Sequence, residues 1–132
     1  MTIEELFGTL QQSVVTTWRK HLKTSKYSGH MALDEYYKEM PEKVDKLIED
    51  WMGHAGKKVS DYKNMIKPEG DALDYLKKLH DFVESGRSLM DGASELESDL
   101  DDVLGQIDST MYKLKELDES LSIKDYLTKH LL

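Results

Sequence analysis

Apolar residues recur three or four positions apart in four segments of the chain, which is the spacing of one face of an α-helix. The first segment begins with Thr2 and carries Glu5 three residues later, a pair that predicts a capping box. His21 falls on the centre of its apolar stripe at about 100° per residue. The short break at residues 23–29 predicts an antiparallel hairpin to the next helix. The apolar stripe comprises Ile3, Leu6, Phe7, Leu10, Val14 and Trp18.

The second helix is predicted from about Ser28 to Trp51. Pro41 lies in its middle and removes one backbone hydrogen bond, so the helix is expected to kink there or to split in two. The predicted core residues of this helix are Leu33, Tyr37, Met40, Val44, Leu47, Ile48 and Trp51.

A long connection over residues 53–70 follows, in which Ser60 is expected to cap a short amphipathic turn. A third helix is predicted from Asp71 to about Ser85, and a short C-terminal helix from Ser122 to His130. The fourth long helix between them has the clearest stripe, namely Ala93, Leu96, Leu100, Val103, Ile107, Met111, Leu114 and Leu117. Strand patterns are absent from the sequence. The prediction is an all-α four-helix bundle whose long second connection crosses the bundle's end.

Composition narrows the function classes. The length of 132 residues is most simply one domain, 1–132, and the absence of cysteine excludes disulfides and thiolate metal sites. The N-terminal residues lack the pattern of a secretory signal, and no apolar run approaches the roughly 18 residues of a membrane span. The net charge of −8 argues against general nucleic-acid binding and suits a protein that gathers cations.

Two pairs of polar residues in the second helix have metal-ligand character. His30 and Asp34 lie four residues apart, as do Asp45 and Glu49, and all four share a face beside the core stripe. The pairs are about 22 Å apart along the axis at 1.5 Å per residue, so one helix cannot bring them to one ion. Two copies crossing antiparallel on a two-fold axis near Met40 can do so, and the symmetry then creates two equivalent sites.

His21 lies one hairpin away and can complete each set, which then holds two imidazoles and three carboxylates. That mixture suits iron, with manganese or zinc as alternatives. Acidic pairs at helical spacing are common, however, and a histidine on an apolar stripe is more often packed than metal-bound. The spacing alone therefore favours a solvated helix flank over a metal site.

Residues 21–49, "HLKTSKYSGHMALDEYYKEMPEKVDKLIE", resemble the ferroxidase segment of the Dps branch of the ferritin-like proteins. In that family a histidine ends the first helix, a histidine and an aspartate open the second, and an aspartate and a glutamate follow. The positions that match are His21, His30, Asp34, Asp45 and Glu49. The resemblance is nearest to small Dps-like proteins predicted in bacteriophage genomes. The chain departs from the family in having Leu22 after the first histidine, a hairpin three residues shorter and Pro41 in the dimer-forming helix.

The resemblance implies a ferritin-like four-helix bundle with a long second connection and a short C-terminal helix. It also implies a homo-oligomer that binds ferrous iron, and oxidises it, at sites shared across a two-fold interface on the second helix. The expected location is the host cytoplasm, or the virion if the gene is phage-borne. The alternative is a virion or assembly component that keeps the fold without metal turnover, which Pro41 and the short hairpin favour.

Two other charged segments are weaker evidence for a functional site. The basic cluster "RKHLKTSK" at 19–26 could contact phosphate or an acidic partner, although such clusters are commonly only solvated. The acidic run "ESDLDD" at 97–102 is expected to be a solvated face.

Overall fold

The computed structural model describes residues 1–116, so the predicted helix at Ser122–His130 lies outside the described residues. Its helices are α1 (Ile3–Lys23), α2 (Tyr27–Ala55), α3 (Ala72–Ser85) and α4 (Ser94–Glu116), with a 3-10 helix at Arg87–Met90 before α4. Residues 1–116 contain no β-strand, and the all-α prediction is confirmed. None of the helices within these residues is both long and apolar enough to cross a membrane.

Contacts between side chains define the directions of the helices. Phe7 meets Trp51 and His21 meets His30, so α1 and α2 are antiparallel. Lys43 donates a hydrogen bond to Gln106, and Lys113 pairs with Glu35 nearer the hairpin, so α2 and α4 are also antiparallel. The Nε2 atom of His80 in α3 lies 3.1 Å from the Oδ1 atom of Asp108 in α4, so these two helices are also in contact. The core between the helices includes Leu6, Leu10, Met40, Leu47, Leu79, Leu100 and Ile107.

The long connection between α2 and α3 runs along the side of α1 instead of crossing the bundle's end. The Lys63 N–H donates to the carbonyl of Glu4, and the Met65 N–H donates to the Thr9 hydroxyl. The predicted helical turn at Ser60 is wrong, because residues 58–71 form no helical turn. Gly8 permits this approach, since a Cβ there would lie 2.4 Å from the Lys63 backbone nitrogen. The connection returns to the hairpin end, which makes α3 parallel to α2.

Pro41 does not split the second helix, because α2 continues from Tyr27 to Ala55. Pro41 is exposed, whereas Met40 and Val44 beside it are buried. The buried side of the helix therefore keeps its packing through the proline. The missing hydrogen bond affects only the solvent side, where water can satisfy the freed carbonyl.

Two aromatic residues predicted to be in the core are not buried there. Trp18 is 50% exposed and Tyr37 is half-buried, whereas Tyr36 is fully buried and lies 2.8 Å from the Ser13 hydroxyl. The buried face of α1 instead includes Ser13 and Thr17, whose hydroxyls donate to carbonyls of their own helix. Small polar residues can face a core when the helix backbone accepts their hydrogen bonds.

Candidate metal site at the α1–α2 hairpin

The hairpin brings the last turn of α1 against the first turn of α2. Three residues, Thr24 to Lys26, join the helices, and the Thr24 hydroxyl accepts a hydrogen bond from the Lys26 N–H. His21 lies in the last turn of α1 and His30 in the first turn of α2. The brevity of the link therefore places the two imidazoles next to each other.

The two histidines meet through their Nε2 atoms, which are 2.9 Å apart. Their ring centroids are 3.8 Å apart, and His21 is buried while His30 is half-buried. Without a metal this contact is a hydrogen bond in which one imidazole donates and the other accepts. Two imidazole nitrogens that bind one ion at about 2.0–2.1 Å also lie about 3 Å apart. The separation thus suits either a shared proton or a shared cation.

Asp34 is the third member of the cluster, with Oδ1 at 3.6 Å from the His21 Nε2 atom. The same oxygen accepts a hydrogen bond from the Tyr37 hydroxyl at 2.9 Å, and Oδ2 accepts one from the Lys38 ammonium at 3.0 Å. Both hydrogen bonds lower the pKa of Asp34 below its ordinary value, and the bond from Lys38 has the larger effect. Asp34 is therefore an ionised carboxylate beside two imidazoles.

His21 is held in its neutral form. Burial is the main cause that lowers the pKa of His21, and the neighbouring His30 lowers it further. Asp34 raises this pKa, but by less. Neutral imidazole is the form that binds metal ions. Within residues 1–116 the buried Nδ1 atom has no hydrogen-bond partner. The ring is instead positioned by its contacts with His30 and with the edge of Tyr37, 5.1 Å away between centroids.

Asp45 and Glu49 do not join this cluster within one chain. Both residues are exposed on α2. Asp45, the nearer of the two, lies 15 residues after His30, which corresponds to about 22 Å of helix. No group of three or more His, Cys, Asp or Glu side chains within residues 1–116 is arranged to hold a metal ion. The structure therefore brings His21, His30 and Asp34 together and leaves Asp45 and Glu49 apart.

An exposed apolar surface lies beside the histidines. Trp18 stacks on Tyr37 at 5.9 Å between centroids, and Leu22, one helical turn after Trp18, is 67% exposed. We call Trp18, Leu22 and Tyr37 the hairpin patch. The apolar periodicity placed Trp18 and Tyr37 in the core, so the sequence did not predict this exposed surface.

Further along the same α1–α2 face is a shallow notch of about 250 Å³. The notch is lined by Gln11 and Val14 of α1 and by Pro41, Val44, Asp45 and Ile48 of α2. The α1–α2 face thus carries the histidine cluster at one end and a carboxylate-edged apolar notch further along.

A second polar cluster joins α2 to α4. The Lys46 ammonium donates to Asp50 at 2.7 Å and to Asp99 at 3.1 Å. Asp99 is only 5% exposed, so the prediction that residues 97–102 form a solvated face is wrong at this position. Burial is the main cause that raises the pKa of Asp99, and the hydrogen bond with Asp50 raises it further. The position of Asp99 between Leu96 and Val103 on the apolar stripe was the available signal.

Comparisons with known proteins place the chain among proteins of undetermined function. It is 26% identical over 114 residues to a protein of Enterobacteria phage T4, described as "Uncharacterized 14.6 kDa protein in mobD-ri intergenic region". The match covers 84% of this chain and 86% of the T4 protein. No solved structure matches. Residues 21–114, from His21 to Leu114 near the end of α4, match a family model. The chain belongs to that family, described as "Family of unknown function (DUF5856)".

Proposed function

We propose that this protein binds a divalent transition-metal ion, with ferrous iron as the preferred ion, at sites shared by two copies of the chain. The observation that carries the proposal is the 2.9 Å separation of the His21 and His30 Nε2 atoms, with the Asp34 carboxylate beside them. One neutral imidazole and one ionised carboxylate are already present in the form that a metal requires.

The bundle's connectivity supports a ferritin-like fold. A three-residue link joins α1 to α2, whereas the α2–α3 connection runs the length of the bundle and leaves α2 and α3 parallel. One long crossover connection in a four-helix bundle is typical of ferritin-like proteins. In such bundles metal ligands project from facing helices, as His21 and His30 do here.

A second copy is the proposed source of the missing ligands. Asp45 and Glu49 of one chain would face His30 and Asp34 of the other when the two α2 helices cross antiparallel near Met40. Charge supports that arrangement, because the hairpin end carries the basic cluster at 19–26, while Asp45 and Glu49 are exposed further along α2. The hairpin patch would then lie opposite the apolar notch of its partner, so both surfaces become buried.

The completed set of two imidazoles and three carboxylates suits iron, with manganese or zinc as alternatives. Each ferrous ion would lose one electron to dioxygen or peroxide, a ferroxidase activity in which the carboxylates stabilise the higher positive charge of the product. The Asp34 oxygen nearest to His21, Oδ1, accepts a hydrogen bond from the Tyr37 hydroxyl, and Lys38 donates to the other oxygen, Oδ2. Lys38 is 62% exposed, so its side chain has room to turn into solvent.

The test combines metal titration, sedimentation and aerobic iron oxidation on the full chain. We expect tight binding of one ion per chain, dimers or larger assemblies, and iron oxidation above the rate of buffer. His30→Gln should lose at least about tenfold in metal affinity. His54→Gln, which changes an exposed histidine at the far end of α2, should retain it. Equal affinity in the two variants would refute the proposed site.

A second candidate function is a structural or interaction protein without metal turnover. The observation in its favour is that Asp34 already accepts hydrogen bonds from Tyr37 and Lys38, so the cluster is well bonded without a metal. In that case the hairpin patch remains the contact surface. Self-association would then be unchanged by a chelator and weakened by Trp18→Ser.

A further inference from the structure

A separate cavity of about 610 Å³ lies between the hairpin and the start of α3. Its volume falls within the roughly 300–1,000 Å³ of small-molecule sites. None of the predicted metal ligands is among its described lining residues.

Positive charge is concentrated around this cavity. Arg19, Lys20, Lys23 and Lys26 line it, and Asp71 is the one acidic residue among the described lining residues. In a chain with a net charge of −8, this excess of three positive charges is a local reversal of sign. An anion in the cavity would offset the mutual repulsion of these cations.

The fold holds one of these cations, Lys20, at the rim of the cavity. The Lys20 ammonium donates to the carbonyls of Pro68 and Gly70, at 2.9 and 2.8 Å. These bonds tie the end of the long connection to α1 and fix one wall of the cavity. Lys20 therefore has a structural role, whereas Arg19 and Lys23 are exposed and available to a ligand.

The start of α3 forms another part of the wall. Ala72 and Leu73 line the cavity, and the N-cap residue Asp71 accepts a hydrogen bond from the Asp74 N–H at 2.8 Å. The Asp71 carboxylate therefore already serves this helix N-terminus, so an anion in the cavity depends on the cations of the hairpin.

The rest of the wall is apolar. Leu33 and Leu114, which are buried, line the cavity together with Leu73 and Ala72. A bare inorganic ion would leave these side chains without contact. An anionic group attached to an apolar or aromatic body would contact both the cationic rim and this wall.

We propose that this cavity binds a small organic phosphate, of the size and chemistry of a nucleoside monophosphate. Arg19 and Lys23, which are exposed at the rim, bind the phosphate group. The body of the ligand packs against Leu33 and Leu114. The site contains none of the proposed metal ligands, although its cations belong to the basic cluster at 19–26 that also favours the proposed dimer.

The test is calorimetric titration of the full chain with adenosine monophosphate, inorganic phosphate and adenosine, in the presence of a chelator. We expect the monophosphate to bind and the two fragments to bind at least about tenfold more weakly, because each makes only part of the contacts. The double variant Arg19→Gln/Lys23→Gln should weaken monophosphate binding at least about tenfold.

The matched control is Lys57→Gln/Lys58→Gln, which removes the same charge from exposed residues just beyond the end of α2, opposite to the hairpin. It should leave monophosphate affinity within about twofold of the wild type, since screening limits such distant charges. Absence of binding to the wild-type chain, or equal losses in both double variants, would overturn the proposal.

Discussion

The Nε2 atom of His21 lies 2.9 Å from the Nε2 atom of His30, although the two residues belong to different helices. The hydrogen bond requires that at least one ring be neutral, and burial lowers the pKa of His21 in that direction. Asp34 completes one half of the proposed metal site, and the other half lies about 22 Å away on the same helix. The arrangement makes the sharing of the site between two chains directly testable.

Mixed dimers of two variants should recover metal binding that each variant alone has lost. Asp34→Ala removes a ligand from one half of every site, and Glu49→Ala removes one from the other half. A heterodimer of the two contains one site with both losses and one wild-type site, because two-fold contacts are reciprocal. Titration of purified heterodimers should therefore show half of the wild-type number of tight sites. Heterodimers that bind no better than the parent variants would show that the halves do not meet.

Removing the cation that holds Asp34 should strengthen metal binding. Lys38 donates to Asp34 and is the main cause of its lowered pKa, so it competes with a metal for the same carboxylate. We expect Lys38→Gln to raise zinc affinity about 3- to 10-fold near neutral pH. Lys57→Gln is the control for the change in net charge. A loss of affinity in Lys38→Gln would indicate that Asp34 is not a ligand.

The buried carboxyl group of Asp99 should impose a pH dependence on stability. Its pKa is raised in the folded chain, so between about pH 3.9 and the folded pKa the folded state binds more protons than the unfolded state. The contribution of Asp99 to stability must therefore fall as the pH rises through that window. Asp99→Asn should become more stable relative to the wild type as the pH rises from 4 to 7.

Urea unfolding at several pH values measures this difference directly. Asp102→Asn is the matched control, because Asp102 is an exposed residue of the same helix. A constant difference between Asp99→Asn and the wild type across this range would contradict the raised pKa.

Two glycine-to-alanine substitutions should have opposite effects. At Gly8 a Cβ would lie 2.4–2.7 Å from backbone atoms of Lys63, so Gly8→Ala should destabilise the fold by about 1–3 kcal/mol. Gly105 is within α4 and has nothing within 4 Å of an added Cβ. Gly105→Ala should stabilise the fold by about 0.5–1 kcal/mol, because alanine favours the helix. Thermal unfolding of the two variants gives the comparison, and a stabilising Gly8→Ala would show that the connection does not pack against α1.

The sequence by itself determined the helices and the pairing of two histidines at the hairpin. The apolar periods predicted α1, α2, α3 and α4, and the Thr2–Glu5 capping box forms as predicted. His21 and His30 meet because a three-residue link leaves little freedom in how two antiparallel helices pack. The helical rise also showed that Asp45 and Glu49 cannot reach these histidines within one chain. These features depend on local geometry, which the order of residues already contains.

Only the tertiary structure decided how the surfaces of the helices are used. Hydrophobicity placed Trp18 in the core, but the neighbours of α1 bury Ser13 and Thr17, whose hydroxyls bond to the helix backbone. Packing of α4 on α2 buries Asp99, and the course of the long connection depends on its bonds to α1 at Glu4 and Thr9. The cationic cavity arises where that connection meets the hairpin. Each of these features depends on contacts between residues that are distant in the chain. Periodicity and spacing do not specify such contacts.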